Sequence, residues 1–155
     1  MAGEWPETAL SDLTEAETPV TYGVVKPGGE DPEGVLFIRG GDIANGRILT
    51  DQLRTISKEI SSQYKRTLLR GGEIVMSLVG NPGQVAIVPG SLRGSNIARQ
   101  AALIRLRQDV DSRFVMYFLG SQLGQEALGA HSRGSVQQVI NLRDLKTVGI
   151  PTPPL

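Results

Sequence analysis

Apolar positions along this chain fall into short runs, most of them β-branched or alternating with polar residues as far as Leu106. Such runs predict strands at Val20 to Val25, Val35 to Arg39, Ile43 to Leu49, Ile74 to Val79, Val85 to Val88 and Ala101 to Leu106. Turn chemistry separates them. Asn45-Gly46, flanked by Ile43 and Ile48, is a two-residue hairpin signal because both residues tolerate positive φ. Pro82-Gly83 predicts a second hairpin between the runs ending at Val79 and beginning at Val85. Beyond Leu106 the period changes. Phe114, Val115, Phe118, Leu119, Gln122 and Leu123 share one face of a helix that starts near Asp111 or Ser112 and stops at Gly129. A weaker helix covers Lys58 to Lys65, with Ile60 and Tyr64 one turn apart.

The chain closes on a Gly134-Ser135 turn, an apolar run, and Asn141 placed to cap a one-turn helix with Asp144 at its third position. Val148 and Ile150 then alternate in a last strand, which the prolines are expected to stop. Residues 151–155 form a stiff, Pro-rich exit of the kind that points toward a further element. The pattern predicts an α/β or α+β domain, residues 1–155, on a mixed, strongly twisted sheet with β-hairpins and one main helix. No internal repeat or low-complexity segment interrupts it.

Composition narrows the class. At 155 residues with 39% apolar content the chain suits one domain with its own core. It has no cysteine, which rules out a disulfide scaffold or Cys-based zinc site and suits a reducing compartment. With no signal-like N-terminus and no long apolar run, a cytoplasmic protein is expected.

Net charge is zero but unevenly spread. Residues 1–33 carry eight acids and one base, whereas residues 34–108 carry eleven bases and four acids. Two readings follow: a basic face suited to phosphates, or two segments that neutralise each other across one surface.

Catalytic motifs fail on inspection. His131 is the single histidine, and the scattered carboxylates have no ligand spacing, so no metal site is expected. Ala130-His131-Ser132-Arg133-Gly134 lacks the first glycine of a nucleophile elbow, and a histidine adjacent to the serine is badly placed as its base. The Gly29 to Gly34 interval has the glycine spacing of a phosphate loop, but Val35-Leu36 stands where Lys and Ser/Thr are required. There is neither a dinucleotide fingerprint nor the Pro-Pro-aromatic motif of adenine methyltransferases; Thr152-Pro153-Pro154-Leu155 fails at both ends.

What the loops do carry is recognition chemistry. Duplex DNA needs cations and small donors for phosphates, and forked side chains for base edges. Candidate base readers are Arg39, Asn81, Gln84, Ser95, Asn96 and Arg99; candidate phosphate ligands are Lys26, Lys65, Arg66, Arg70, Arg93, Arg133, Ser135, Gln137 and Gln138. From the residues alone, loop capping or strand-end solvation explains Asn96 and Arg99 equally well. A β-rich module binding a small molecule or a protein is the alternative reading.

Several segments together resemble the target recognition domain in the DNA specificity subunit of type I restriction-modification enzymes. They are Trp5-Pro6 with Leu10-Ser11-Asp12-Leu13, Tyr22-Gly23, Lys26-Pro27, Phe37-Ile38-Arg39-Gly40-Gly41-Asp42-Ile43, Tyr64-Lys65-Arg66-Thr67-Leu68-Leu69, Gly72-Glu73-Ile74-Val75, Gly80-Asn81-Pro82-Gly83, Ser95-Asn96-Ile97-Ala98-Arg99, and the Ile150-Pro151-Thr152-Pro153-Pro154-Leu155 exit. They stand in the family's order over nearly the whole chain. The family usually has Asp at the Glu73 position and often Gln near Arg99. The resemblance implies a non-catalytic DNA-reading module for one half of a split site. It implies modification and restriction subunits as partners, with S-adenosylmethionine, ATP and Mg bound there and no cofactor in this chain. Because the family assembles through helices beyond Leu155, the isolated domain is expected to be monomeric.

Overall fold

The computed structural model describes residues 5–129 and 139–153. The Gly134-Ser135 turn, Arg133, Gln137, Gln138 and the end of the proline-rich exit lie outside them. In chain order the elements are β1 (Glu7–Ala9), β2 (Thr21–Tyr22), β3 (Val35–Ile38), β4 (Ile43–Ala44), β5 (Arg47–Ile48), β6 (Arg54–Ile56), α1 (Lys58–Ser62), β7 (Ile74–Ser77), β8 (Val85–Ile87), β9 (Asn96–Ile97), β10 (Ala101–Ile104), α2 (Ser112–Gly120), α3 (Gln122–Gly129), α4 (Leu142–Thr147) and β11 (Gly149–Pro151).

The centre is an antiparallel sheet in the order β2-β10-β7-β8. Its middle strands β7 and β10 are buried at every position, which is why they read as continuous apolar runs. Their period of two divides the core. Ile74, Met76, Ala102 and Ile104 face Val115, Leu119 and Leu145 of the helices. Val75, Ala101 and Leu103 face Ile38, Leu69 and Ile97. The expected single sheet is therefore split. β3 pairs antiparallel with β6 and parallel with β9 in a second, mixed sheet. β4 and β5 form the expected hairpin, with Asn45 at φ 56° and Gly46 at φ 78°.

Two expectations change at the helices and the last strand. The long helix is two, broken at Ser121, whose Oγ donates to the Phe118 carbonyl at 2.6 Å and accepts from the Gly124 amide at 3.2 Å. A Cβ on Gly124 would lie 2.0 Å from the Phe118 carbonyl oxygen, so the break requires glycine there. Leu123, placed on the core face by helical spacing, is 59% exposed beyond the break. β11 runs through Pro151 instead of stopping before it. It pairs only with β1, where a proline costs no ladder bond, and Thr152 N still donates to the Pro6 carbonyl at 2.8 Å. Asn141 caps α4 as expected, accepting from the Asp144 amide at 2.8 Å.

The core also holds one ion pair. Glu73 and Arg105, with side chains 2% and 7% exposed, meet at 3.0 Å. Burial acts to raise the Glu73 pKa, but hydrogen bonds from the Arg70 and Gly71 amides and from Arg105 hold the carboxyl below its ordinary 4.5. Because folding lowers this pKa, its contribution to stability is complete above pH 4.5 and is lost as pH falls through the folded value. Arg105→Met should leave a buried, unpaired carboxylate and destabilise the fold by about 3–5 kcal/mol at neutral pH. Urea denaturation at several pH values checks this; Arg105→Met with Glu73→Met should recover only part of the loss, because the Arg70 and Gly71 amides and the Leu68 carbonyl then lose their partners.

Candidate nucleic-acid interface

The segment between β6 and β7 is the main source of cations and has little regular structure. Ser57 caps α1 by accepting from the Ile60 amide at 3.0 Å. After α1 comes one tight turn, Lys65–Thr67. What fixes it is Asn96, fully buried on β9. Its amide donates to Ser61 Oγ at 3.1 Å and to the Tyr64 carbonyl at 3.2 Å, and its oxygen accepts from Thr67 Oγ1 at 2.6 Å and from the Ile97 amide at 2.9 Å. Arg105 holds the other end, donating to the Leu68 carbonyl at 2.9 Å and to that of Arg66 at 3.5 Å. Lys65 and Arg66 are left on the outside with exposed side chains.

They border the first of three depressions that run together across one face. Thr21, Tyr22, Val25, Lys65 and Arg66 line the first. Tyr22 and Val25 continue into the second, which adds Val79, Arg99, Val139 and Asn141. Val79 continues into the third, where Arg39, Gln52 and Gln100 stand with Asp42 and Asp51. The trough thus places Lys65, Arg66, Arg99 and Arg39 along one surface, and among the described residues no carboxylate lines the first two depressions. Among the described residues Lys65, Arg66 and Arg99 have no ion-pair partner. Close approach of two chain segments builds its floor. Gly23 and Val24 donate to the carbonyls of Ala98 and Ile97, and a Cβ on Gly23 would lie 2.0 Å from the Ile97 oxygen.

The structure sorts the other candidates. Asn96 and Ser95 are buried, at 0% and 5% exposure, so in this conformation neither can touch a base. Asn96 is spent on capping a loop from inside. Arg39 is in the trough, but its Nε and Nη2 hold Asp42 at 3.1 and 3.0 Å, and this hydrogen bond raises its pKa further. Asn81 is exposed on the turn just beyond Val79, and Lys26 is exposed beside Val25. Gln84 belongs to a separate depression with Tyr117 and Gln125, accepting from the Asn45 amide at 3.4 Å. Arg70 is also elsewhere, paired with Glu15 at 3.2 Å in a depression that includes Glu73 and Arg107. Arg93 is exposed on the 90–94 turn, in none of these depressions. Arg133, Ser135, Gln137 and Gln138 lie outside the described residues.

Sequence reasoning missed Tyr22, Val25, Val79 and Gln100 as lining residues. A partial signal was available in the apolar residues that alternation leaves outside, since Tyr22 is 46% and Val79 43% exposed. Among the described residues no group of His, Asp and Glu could hold a metal ion, and no helix is long and apolar enough to cross a membrane.

The split-sheet fold has known counterparts, and the sequence has a family. Residues 3–155 match the type I restriction modification DNA specificity domain, and the chain belongs to that family. The specificity subunit of the type I restriction enzyme EcoBI, from Escherichia coli, is 36% identical over 151 residues, covering 97% of this chain and 32% of that protein. The chain therefore spans about a third of the length of this curated relative. The fold is shared with the HsdS subunit from Thermoanaerobacter tengcongensis (TM-score 0.67, 18% identity, 97% of this chain and 38% of the other). It is shared too with the type I restriction-modification S subunit from M. genitalium (TM-score 0.61, 20% identity, 96% and 34%).

If Asn96 is structural, Asn96→Ala should cost about 1–3 kcal/mol by leaving buried partners unsatisfied. Arg99→Ala, on the surface, should change stability by no more than about 0.5 kcal/mol. Thermal or urea denaturation of the two variants separates the roles.

Proposed function

We propose that this chain is a non-catalytic target recognition domain that reads one half of a split double-stranded DNA site. In this reading it directs a modification subunit and a restriction subunit to that site, and S-adenosylmethionine, ATP and Mg belong to those partners. One observation carries the proposal: Lys65, Arg66 and Arg99, without an ion-pair partner among the described residues, share a trough whose first two depressions are lined by no described carboxylate. A duplex presents phosphates on either side of its base edges, and the trough offers cations flanking a central patch with forked and apolar groups. Family membership and the specificity subunit relative support the same reading.

Lys65 and Arg66 take the positioning role, with Lys26 beside them. Arg99 and Asn81 are the exposed candidates for reading, and Arg39 contributes at the far end within the limits set by Asp42. Arg70 is withdrawn from the phosphate set because Glu15 already neutralises it.

The test is binding to a selected and a scrambled duplex at two salt concentrations. Lys65→Ala and Arg66→Ala should weaken both duplexes alike and reduce the slope of log affinity against log salt by about one each. Arg99→Ala should cost about 1–3 kcal/mol on the selected duplex alone. Arg70→Ala should leave both nearly unchanged. A flat salt response by the folded chain would instead favour a module that binds a small molecule or a protein.

A further inference from the structure

We propose that Tyr22 and Val79, with Val25 beside them, read the 5-methyl group of a thymine on the base pair next to the one contacted by Arg99. The inference rests on the trough being the DNA surface. Tyr22, Val25 and Val79 are 46%, 38% and 43% exposed, and all three line the same depression as Arg99. Water gains nothing from contact with such a patch. A major groove presents one apolar group among its donors and acceptors, the thymine methyl, and side chains that read it are apolar.

The patch is committed to that occupant by its surroundings. Lys65 and Arg66 stand on one side of it in the adjoining depression, Arg99 stands within it, and among the described residues no carboxylate lines either depression, while on the far side Val79 borders Arg39 and its partner Asp42. Its backbone is also fixed. Tyr22 pairs with Ala102 across the β2–β10 ladder, Val79 bridges Val139, and Arg99 N donates to the Val24 carbonyl at 3.0 Å. Side chains projecting from paired backbone hold a contact geometry that a loop tip would not. A protein partner of mixed polarity would want acids against Lys65 and Arg66 and an apolar anchor on the patch, and it is an outcome of the test below.

The experiment replaces each thymine of a duplex selected by the full chain with deoxyuridine, which removes the methyl and keeps Watson–Crick pairing. At one position the change should weaken binding about fourfold, the worth of burying one methyl group. Tyr22→Ala with Val79→Ser should bind the thymine duplex at the deoxyuridine level and show no further loss on deoxyuridine. Tyr22→Phe should keep the methyl effect. Both substituted side chains are exposed, and circular dichroism checks that the variants fold. Equal binding with and without every methyl, or an undiminished methyl effect in the double variant, overturns the proposal while leaving DNA recognition standing. Absence of duplex binding at low salt overturns both and points to a protein partner.

Discussion

A segment that dips in and out of the interior must still satisfy the peptide groups it buries, and in this domain that constraint falls on the stretch from the end of α1 to Glu73, where Ser61, Thr67, Leu69 and Glu73 are buried between exposed residues. Three interior side chains meet it. Asn96 reaches it from β9, Arg105 from the end of β10, and Glu73 turns back on its own entry by accepting from the Arg70 and Gly71 amides at 2.9 and 2.6 Å. Each unpaired group in such a place would cost about 1–3 kcal/mol, so the segment has one conformation or a steep loss. Because β9 belongs to the three-stranded sheet and β10 to the four-stranded one, the same bonds tie the two sheets together. The exposed cations Lys65 and Arg66 inherit their position from this buried network.

Zero net charge and a DNA-facing role are reconciled by where the acids go. The acidic N-terminal segment folds back along part of the basic one, through Glu15 to Arg70, Glu30 to Arg54, and the Asp12 carbonyl to Arg107. None of these contacts involves Lys65, Arg66 or Arg99. Both readings of the charge pattern therefore hold in part: neutralisation on one region of the surface, and by Asp42 at the far end of the trough, leaves Lys65, Arg66 and Arg99 without acids among the described residues that line the other two depressions. Such exposed pairs add little to stability, but they set the sign of the local field.

Local chemistry was legible in the sequence. Asn45-Gly46 made its hairpin because positive φ is required at both positions, and Asn141 capped α4 because a short polar side chain before an apolar run has few better uses. The runs at β7, β8 and β10 were plain because burial on one or both faces leaves a pattern of apolar residues. Long-range partners were not legible. Nothing in Glu7-Thr8-Ala9 announces a strand, since β1 exists only because β11 pairs with it. Asn96 and Arg99 stand three residues apart with the same recognition chemistry, yet one is fully buried and the other exposed. Only the neighbours brought in by folding decide between an amide that caps an inner loop and a guanidinium left for a ligand. The pairing of Arg70 with Glu15 was hidden for the same reason, the two being distant in sequence.

The separation of these roles has a consequence for how such a domain can change its target. Tyr22, Val79 and Arg99, the readers proposed above, project from paired backbone and contribute little burial of their own. Exchanging them alters the trough without touching the core. Asn96 and the Glu73–Arg105 pair have no such freedom, because Asn96 is held by Ser61, Thr67 and the Tyr64 and Ile97 peptide groups, and Glu73 and Arg105 by each other and by the peptide groups of residues 66 to 71. A substitution there disturbs the cations through the backbone before it disturbs any base contact. The reach of Glu73 lets one carboxylate accept from two amides and still meet Arg105 at 3.0 Å. The residues proposed to read and the residues that hold the fold are thus different ones, and Gly23 lets the chain after β2 approach Ile97 closely enough for Val24 to bridge Ala98, joining the four-stranded sheet to the end of β9 in the three-stranded one.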